Sequence, residues 1–306
     1  MNPSINRLRQ RLHNSVLDGG LATELEALGA DIDCDLWSAR VLAESPERIT
    51  KVHELYLKSG SDCIISSSYQ ASVEGFVAAG FSMERAHVLL ADSVIIAKNV
   101  RERINPSALV AASIGPYGAY LADGSEYRGY ANVSEARLRE FHLDRWRILA
   151  AAKPDLMACE TIPSAAEAAV LNRIAHVEET PFWLCFSCSD AQRICSGETL
   201  ATAAAELANN CFLVGWGINC TSPQFVSELV RILVKLDPNI PVIVYPNSGE
   251  RYEAETSSWS GTVDPIDFAE RAQEWRALGA WAVGGCCRTG PQHIAALRHF
   301  SLPHPR

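Results

Sequence analysis

Eight short apolar runs, each separated from the next by a segment with a helical pattern, constrain the fold of this chain more than any other feature. Apolar runs bounded by small or polar residues are typical of buried strands, and their alternation with helices indicates parallel β-α units. Eight such units close a (β/α)8, or TIM, barrel, which fits a single domain over residues 1–306. The runs are residues 16–20, 63–69, 109–115, 156–161, 183–189, 213–220, 242–247 and 281–287.

The segments between the runs carry signals of helix boundaries. Ser164 and Glu167 have the spacing of a capping box, and Gly60 and Gly279 suit a left-handed residue that ends a helix just before a strand. A doubly wound open sheet is the alternative architecture, but the glycines after the first run do not spell G-x-G-x-x-G. Helix starts are predicted at Ser45-Pro46, Ser222-Pro223 and Asp264-Pro265.

Charge and composition argue against several classes of partner. The 27 Lys and Arg residues against 36 Asp and Glu residues give a net charge of −9, so we expect no nucleic acid partner. The first residues are polar and basic, unlike a secretion signal, and no window has the roughly 18 apolar residues of a membrane span. We therefore expect a cytoplasmic protein without a disulfide framework, whose ten cysteines bind a metal or pack in the core.

The carboxyl ends of the predicted strands hold most of the residues capable of chemistry. In a (β/α)8 barrel the reactive side chains come from these ends, where the β-α loops converge on one face. Three of the ten cysteines lie there, in the sequences GINC and GGCC. The candidate site residues at these ends are Asp18, Tyr69, Gln70, Glu160, Cys220, Asn247, Cys286 and Cys287.

Cys220, Cys286 and Cys287 match the three protein ligands of a catalytic zinc site, which leaves its fourth position for water or substrate. Adjacent residues of a regular strand point to opposite faces, so Gly284 and Gly285 are expected to let the chain turn. Two alternatives remain: the thiols are apolar core residues, or oxidation links Cys286 to another thiol. The other cysteines are expected to pack in the interior: Cys34, Cys63, Cys159, Cys185, Cys188, Cys195 and Cys211.

Glu160 and Asp18 are carboxylates at the ends of apolar runs. Each is either a salt-bridged residue of the barrel rim or a contact for substrate. Two carboxylates on the rim of one site favour a cationic group, such as the ammonium group of an amino acid.

Several longer motifs resemble one known family. They are LDGGLATELEALGA, LWSARVL, SSSYQAS, GPYGAYLADGSEYRG, ACETIP, GINC, VIVYPNSGE and GGCCRT, and they run along nearly the whole chain. Together they resemble the homocysteine S-methyltransferases, a family of zinc-dependent (β/α)8 barrels. GPYGAYLADGSEYRG and YPNSGE are similar to the branch that uses S-methylmethionine.

The resemblance implies that Cys220, Cys286 and Cys287 bind one Zn²⁺ per chain, with Asn247 as the fourth ligand when substrate is absent. The betaine-using branch has a tyrosine at the position of Thr161, so a tyrosine ligand from this position is excluded. The residues that the resemblance places near the amino acid substrate are Asp18, Gly19, Gly20, Tyr69, Gln70 and Glu160.

The resemblance also implies the reaction. Coordination to Zn²⁺ deprotonates the homocysteine thiol, and the thiolate takes a methyl group from a sulfonium donor to form methionine. S-Methylmethionine is the expected donor, because the methylfolate- and cobalamin-using members of the family need further domains. S-Adenosylmethionine as donor and selenocysteine or another thiol as acceptor are the alternatives.

Other interpretations fit parts of the sequence. A zinc-dependent barrel hydrolase needs a histidine or carboxylate base, and none of the eight histidines lies at a predicted strand end. A non-catalytic zinc or thiol binding protein would keep the three cysteines but need no substrate pocket. Residues 116–132 form a long connection that is either a lid over the donor or a packed surface loop.

Overall fold

A computed structural model describes residues 2–31, 38–130, 133–207, 209–249, 251–253, 258–260 and 264–301. Eight of its strands are parallel members of one sheet, and two short strands pair with each other as an antiparallel hairpin. The strands are β1 Ser15–Val16, β2 Cys63–Ile65, β3 Leu109–Ile114, β4 Leu156–Ile162, β5 Phe182–Phe186, β6 Leu213–Asn219, β7 Val242–Tyr245, β8 Arg251–Glu253, β9 Ser258–Ser260 and β10 Ala280–Val283.

The large sheet has the order β1-β10-β7-β6-β5-β4-β3-β2. Leu17, just after β1, pairs with Cys63 in a parallel bridge between the two edge strands. The Asp62 N–H also donates to the Val16 carbonyl oxygen over 2.7 Å. These contacts bring the two edges of the sheet together, and the predicted (β/α)8 barrel is confirmed.

Helices follow the strands around the barrel, and the first helix covers its N-terminal end. Arg9 of this helix donates from Nη2 to the carbonyl oxygen of Leu213, the first residue of β6, over 2.8 Å. The helices are α1 Pro3–Leu12, α2 Leu21–Ala27, α3 Ser38–Glu44, α4 Pro46–Lys58, α5 Val73–Ala78, α6 Met83–Ile104, α7 Tyr117–Leu121, α8 Glu135–Ala151, α9 Ala165–Val177, α10 Leu200–Ala205, α11 Pro223–Leu236, α12 Pro265–Ala277 and α13 Pro291–Ser301, with a 3-10 helix at Ser125–Tyr127. Among the described residues no helix is both long and apolar enough to cross a membrane.

The strands are apolar because both faces of the sheet are covered. Every residue of β3, β4, β5, β6 and β7 is buried, as expected for a parallel sheet between a packed interior and a layer of helices. Large side chains such as Trp183 and Tyr245 fill the interior of the barrel, and the Trp183 Nε1–H donates to the Tyr245 hydroxyl over 3.2 Å. The interior of the barrel is therefore a packed core.

Most of the predicted helix boundaries are confirmed. Gly60 and Gly279 follow α4 and α12 with φ of +101° and +115°, and the Asp264 side chain caps α12. Ser45 and Ser222 precede their helices without a side-chain capping bond. Only half of the predicted capping box forms: Ser164 Oγ accepts from the backbone N–H at position 167, but the carboxylate there turns away from the helix end.

Several predicted runs extend beyond the strands, and the excess residues form the rim of the barrel. The run 63–69 ends as a strand at Ile65, and the run 281–287 ends at Val283. The second of these ends where the chain turns across the rim, because the Gly285 N–H donates to the carbonyl oxygen of Asp18, after β1, over 3.0 Å.

The cysteines predicted to pack behave in different ways. Cys63, Cys159, Cys185 and Cys188 are buried, as predicted, and Cys195 is partly buried. The prediction for Cys211 is wrong: it is exposed in the turn before β6, where the chain is at the protein surface. Cys34 lies outside the described residues.

Candidate metal and substrate site

A cavity opens at the carboxyl end of the barrel, on the face where the sequence predicts the site. None of the residues that the structure places in its wall is a histidine, so the histidine base of a barrel hydrolase has no support there. The predicted residues that line it are Asp18, Gly19, Gly20, Tyr69, Glu160, Cys220, Cys286 and Cys287.

The three predicted cysteine ligands come together from two strand ends. Cys220 follows β6, and Cys286 and Cys287 lie in the turn after β10. Their Sγ atoms all lie within 4.8 Å of one another, and the Cys220 and Cys287 Sγ atoms are 3.9 Å apart. Three thiolates at about 2.3 Å from one tetrahedral Zn²⁺ would be roughly 3.8 Å apart, so this donor set fits the ion.

In the structure, Cys220 and Cys286 are joined in a disulfide, the type of product expected from oxidation of Cys286. A disulfide supplies no thiolate, so this pair binds a metal only after reduction. Burial raises the pKa of the Cys287 thiol to about 11, although a hydrogen bond from the Tyr127 hydroxyl acts in the opposite direction. The same three sulfurs therefore serve either a metal site or a disulfide with one remaining thiol.

The backbone holds the cysteine turn against its neighbours before any ligand arrives. The Cys286 N–H donates to the Pro246 carbonyl oxygen over 2.8 Å, and the Ser248 N–H donates to the Cys287 carbonyl oxygen over 3.0 Å. Asn247 lies between these two contacts, and its partly buried side chain has an Oδ1 atom with no hydrogen-bond partner among the described residues. An oxygen acceptor without a donor suits a cation, which is the chemistry expected of a fourth ligand.

Two buried carboxylates face the same cavity. Glu160 lies near the end of β4 and accepts a hydrogen bond from the Ser113 hydroxyl. Burial raises its pKa to about 7, although the Ser113 and Tyr245 hydroxyls act in the opposite direction. Asp18 Oδ2 accepts from the Ile65 N–H over 2.8 Å, and burial together with the nearby Glu160 raises its pKa well above the usual value. In the part of the chain that the structure describes, neither carboxylate has a cationic hydrogen-bond partner. This arrangement is suited to a cationic ligand rather than to a rim salt bridge.

The raised pKa of Glu160 predicts how amino acid binding changes with pH. An ammonium group binds the ionised carboxylate, so binding is expected to strengthen as pH rises through about 7. Methionine, which has no thiol to titrate, should bind about tenfold more tightly near pH 8 than near pH 6. Calorimetry at the two pH values measures this change, and the variant Glu160→Gln should remove most of it. A pH dependence in Glu160→Gln equal to that of the wild type would contradict the assignment of Glu160 as the titrating carboxylate.

Gln70 is the one predicted substrate residue whose side chain points away from the cavity. Tyr69 lines the cavity, but Gln70 does not, since its Nε2 donates to the Ala119 carbonyl oxygen of α7 over 3.0 Å. The chain from Pro116 onward is no open loop: it forms α7 and the 3-10 helix, which places Tyr127 in the cavity wall. Residues 131 and 132 of the predicted lid lie outside the described residues.

Comparison with known proteins identifies the family. The family model described as Homocysteine S-methyltransferase matches residues 15–301. This chain belongs to the homocysteine S-methyltransferase family. The methyltransferase chain is 44% identical over 292 residues to the homocysteine S-methyltransferase YbgG of Bacillus subtilis, with 92% of each chain covered. It is 45% identical over 304 residues to homocysteine S-methyltransferase 4 of Zea mays, covering 92% of this chain and 88% of the relative.

Solved structures agree with this placement of the methyltransferase. The metallated form of the homocysteine methyltransferase MmuM from Escherichia coli superposes with a TM-score of 0.84 at 39% identity, covering 93% of this chain and 95% of that chain. An oxidized form of the same enzyme has the same TM-score. MmuM is thus known with metal and in an oxidized state.

Several residues of the methyltransferase site could not be found from strand ends alone. The cavity is also lined by Glu26 of α2 and by Arg288, and Asn219 fixes Thr161 beside Glu160. The Thr161 N–H donates to Asn219 Oδ1 over 2.6 Å, and Asn219 Nδ2 donates to Thr161 Oγ1 over 2.8 Å. A polar residue inside an otherwise apolar run, such as Asn219 in LVGWGIN, is the signal that points to such a partner.

Gly20 of the methyltransferase packs directly on the turn that holds Cys286 and Cys287. A Cβ atom added there would lie 2.5 Å from the Cys286 carbonyl oxygen, which is too close for any side chain. The variant Gly20→Ala should displace this turn and weaken metal binding at least about tenfold. A metal competition titration measures the loss. Gly29→Ala is the control for backbone strain alone: its φ of +76° makes alanine strained there, but a Cβ at that exposed position meets nothing within 4 Å. Similar losses of metal binding in both variants would contradict the prediction.

Proposed function

We propose that this protein is a homocysteine S-methyltransferase that forms methionine with S-methylmethionine as the methyl donor and one Zn²⁺ held by Cys220, Cys286 and Cys287. One observation carries the proposal. Three Sγ atoms within 4.8 Å of one another lie in the same cavity as two buried carboxylates for which the described residues offer no cationic hydrogen-bond partner. A thiol group at one end and an ammonium group at the other are the features of homocysteine that this pair of subsites would bind.

The chain's own residues orient the acceptor. Glu160 and Asp18 bind the ammonium group, and the charge of that group lowers both of their raised pKa values. The acceptor sulfur then points toward the three cysteines, where a bound Zn²⁺ would keep it as a thiolate at neutral pH. No side chain is needed as a general base for this proton, which agrees with the absence of histidine from the described cavity wall.

The donor carries a positive charge into an anionic cavity. Carboxylates at positions 18, 26 and 160 line it together with the cysteines, and Arg288 is the one cationic residue in the described wall. A sulfonium is attracted to such a site, whereas the neutral thioether that leaves is not. In the transfer, the acceptor sulfur forms a bond to the methyl carbon as the bond from that carbon to the sulfonium sulfur breaks. The electron pair of the broken bond stays on the leaving thioether.

Asn247 and the location of the protein complete the proposal. Asn247 Oδ1 would fill the fourth metal position when homocysteine is absent, which would give a role to an oxygen that has no hydrogen-bond partner among the described residues. A cytoplasmic location fits a site of this kind, because thiol ligands stay reduced there.

Methyl transfer from S-methylmethionine that is isotopically labelled in its carbon backbone tests the proposal. Reduced, zinc-loaded protein with homocysteine should yield one labelled and one unlabelled methionine per turnover. Parallel reactions with S-adenosylmethionine as donor, and with selenocysteine as acceptor, rank the alternatives by kcat/KM. Transfer from neither sulfonium donor would overturn the proposed reaction, and a higher kcat/KM for S-adenosylmethionine would overturn the donor.

A further inference from the structure

Glu167, in the first turn of α9, has a fully buried carboxylate that does not cap its own helix. Its Oε1 accepts a hydrogen bond from the Tyr117 N–H over 2.7 Å and lies 2.7 Å from His142 Nε2. Its Oε2 accepts a hydrogen bond from the Tyr130 hydroxyl. Burial lowers the pKa of His142 even though Glu167 acts in the opposite direction, so we take the neutral imidazole to donate its Nε2 proton to the carboxylate.

Tyr117 and Tyr130 are the two ends of one segment of the cavity wall. We call residues 117–130 the roof segment, because its 3-10 helix brings Tyr127 to the cavity. Cys287 lines the same cavity as Tyr127, and the Tyr127 hydroxyl is close enough to lower the pKa of the Cys287 thiol against the opposing effect of burial. One buried carboxylate thus joins both ends of the segment whose middle contacts a proposed metal ligand.

Other contacts hold single points of the roof segment. Ser187 Oγ donates to the Glu126 carbonyl oxygen over 2.9 Å, and Gln70 donates to the Ala119 carbonyl oxygen. The ring of Tyr117 also packs edge-on against the ring of Tyr130, with centroids 5.9 Å apart. This ring contact joins the two ends of the segment directly, and among the described contacts the Glu167 carboxylate is the group outside the segment that hydrogen-bonds to both ends.

The sequence position of Glu167 makes this arrangement unexpected. A glutamate three residues after a serine N-cap commonly bonds back to the helix end, and the local sequence predicts that bond. Here the carboxylate is buried instead, which is unfavourable unless several donors converge on it, as the Tyr117 N–H, Tyr130 hydroxyl and His142 imidazole do. A residue that gives up a local capping role for contacts far away in sequence is typical of a functional constraint.

We propose that Glu167 is a positioning residue for the methyl-donor side of the site: by tying both ends of the roof segment it holds Tyr127 in place beside Cys287. This inference rests on the proposed function. It places the effect on the donor, because Asp18, Glu160 and the metal site bind the acceptor's ammonium group and sulfur, and the roof segment supplies none of these ligands: it adds Tyr127 to the cavity wall beside them.

The variant Tyr130→Phe tests the link between Glu167 and the end of the roof segment, and it keeps the aromatic ring. It removes one hydrogen bond to the carboxylate, and the KM for the donor should rise about tenfold, the equivalent of one hydrogen bond to a charged group. The KM for homocysteine should stay within about twofold. Hydrogen exchange of the amides of residues 117–130 should become faster, a readout that does not depend on catalysis.

Thr180→Val is the matched control. Thr180 Oγ1 accepts a hydrogen bond from Trp146 Nε1 of α8 over 3.2 Å, so this variant also removes a partly buried hydrogen bond, in this case one made by the helix that carries His142. It should lower the thermal stability without raising the KM for the donor. A comparable rise in donor KM for both variants would show that Tyr130 acts through stability alone, and would overturn the inference.

The variant Tyr127→Ala shows whether the effect passes through Tyr127. In that background Tyr130→Phe should change the donor KM less than about twofold, because the side chain being positioned is gone. Additive effects of the two substitutions would overturn the inference, as would equal changes in both KM values. A wild-type protein that transfers no methyl group would instead overturn the proposed function itself, whatever the hydrogen exchange shows.

Discussion

Replacing Cys286 with serine is expected to remove both the bound metal and the methyltransferase activity. Serine keeps the size of the side chain, but its hydroxyl is not deprotonated at neutral pH and is a poor ligand for Zn²⁺ beside two thiolates. Loss of residues that only support metal ligands already costs roughly 10- to 100-fold, so loss of a ligand should lower kcat/KM at least about 1,000-fold. The metal content, measured by mass spectrometry, should fall together with kcat/KM, from about one ion per chain to a small fraction of an ion per chain.

Cys211→Ser is the matched control for this result. Cys211 is a free, exposed cysteine before β6, so its replacement should change neither metal content nor kcat/KM. Both proteins must be reduced before loading, because Cys220 and Cys286 form a disulfide in the structure. Full activity in a metal-free Cys286→Ser protein would show that the cysteines do not serve the reaction through a metal.

Replacing Glu160 with glutamine is expected to raise the KM for homocysteine about 100-fold, the scale for removing one partner of a buried charge pair. The amide keeps the shape and the contact with Ser113 but loses the charge that we propose binds the ammonium group. The kcat should change less, because in the proposed reaction the carboxylate orients the acceptor and takes no part in bond breaking.

The Glu160→Gln variant is not expected to have a lower free energy of unfolding than the wild type. The native state keeps a proton on Glu160 between its ordinary pKa of 4.5 and the raised value of about 7, while the unfolded chain releases it. The contribution of this group to the free energy of unfolding therefore falls as pH rises through that window. Glutamine removes this penalty above pH 7, so the variant should be at least as stable there as the wild type.

Glu26→Gln is the comparison that separates a specific contact from the general charge of the cavity. Glu26 lines the same cavity from α2 but is exposed to solvent, so water screens its charge. We expect a much smaller change in the KM for homocysteine. Equal changes in the two variants would mean that overall negative charge, and not Glu160 itself, binds the acceptor.

The order of strands and the position of the site could be predicted from sequence, because both follow from local patterns. Apolar runs bounded by Gly, Pro and Ser identify all eight barrel strands, and the residues that follow them are brought to one face by the parallel topology. This is why Cys220 and Cys286, 66 residues apart, could be placed in one site from sequence.

Features that depend on distant contacts could not be predicted. Cys220 and Thr161 have positive φ values of +45° and +60°, which non-glycine residues rarely adopt. At Thr161, hydrogen bonds to Asn219 from another strand hold the backbone in this conformation. Glu167 fails as a capping-box residue for the same reason, because donors from α7 and α8 compete for its carboxylate.

The side chain of Gln70 shows the same limit within the site. Its position after β2 predicts a place near substrate, but nothing local to the sequence fixes the direction of a side chain on a rim loop. The carbonyl oxygen of Ala119, in α7, supplies the partner that turns Gln70 away from the cavity.

The most direct test of the central claim is methyl transfer from S-methylmethionine to homocysteine by the reduced wild-type protein, measured before and after removal of its metal with a chelator. We predict about one zinc per chain, methionine formation in the loaded protein, a loss of at least about 1,000-fold after chelation, and recovery when Zn²⁺ is returned. Methionine formation that is unchanged in the metal-free protein, or a fully zinc-loaded protein that transfers no methyl group, would contradict it.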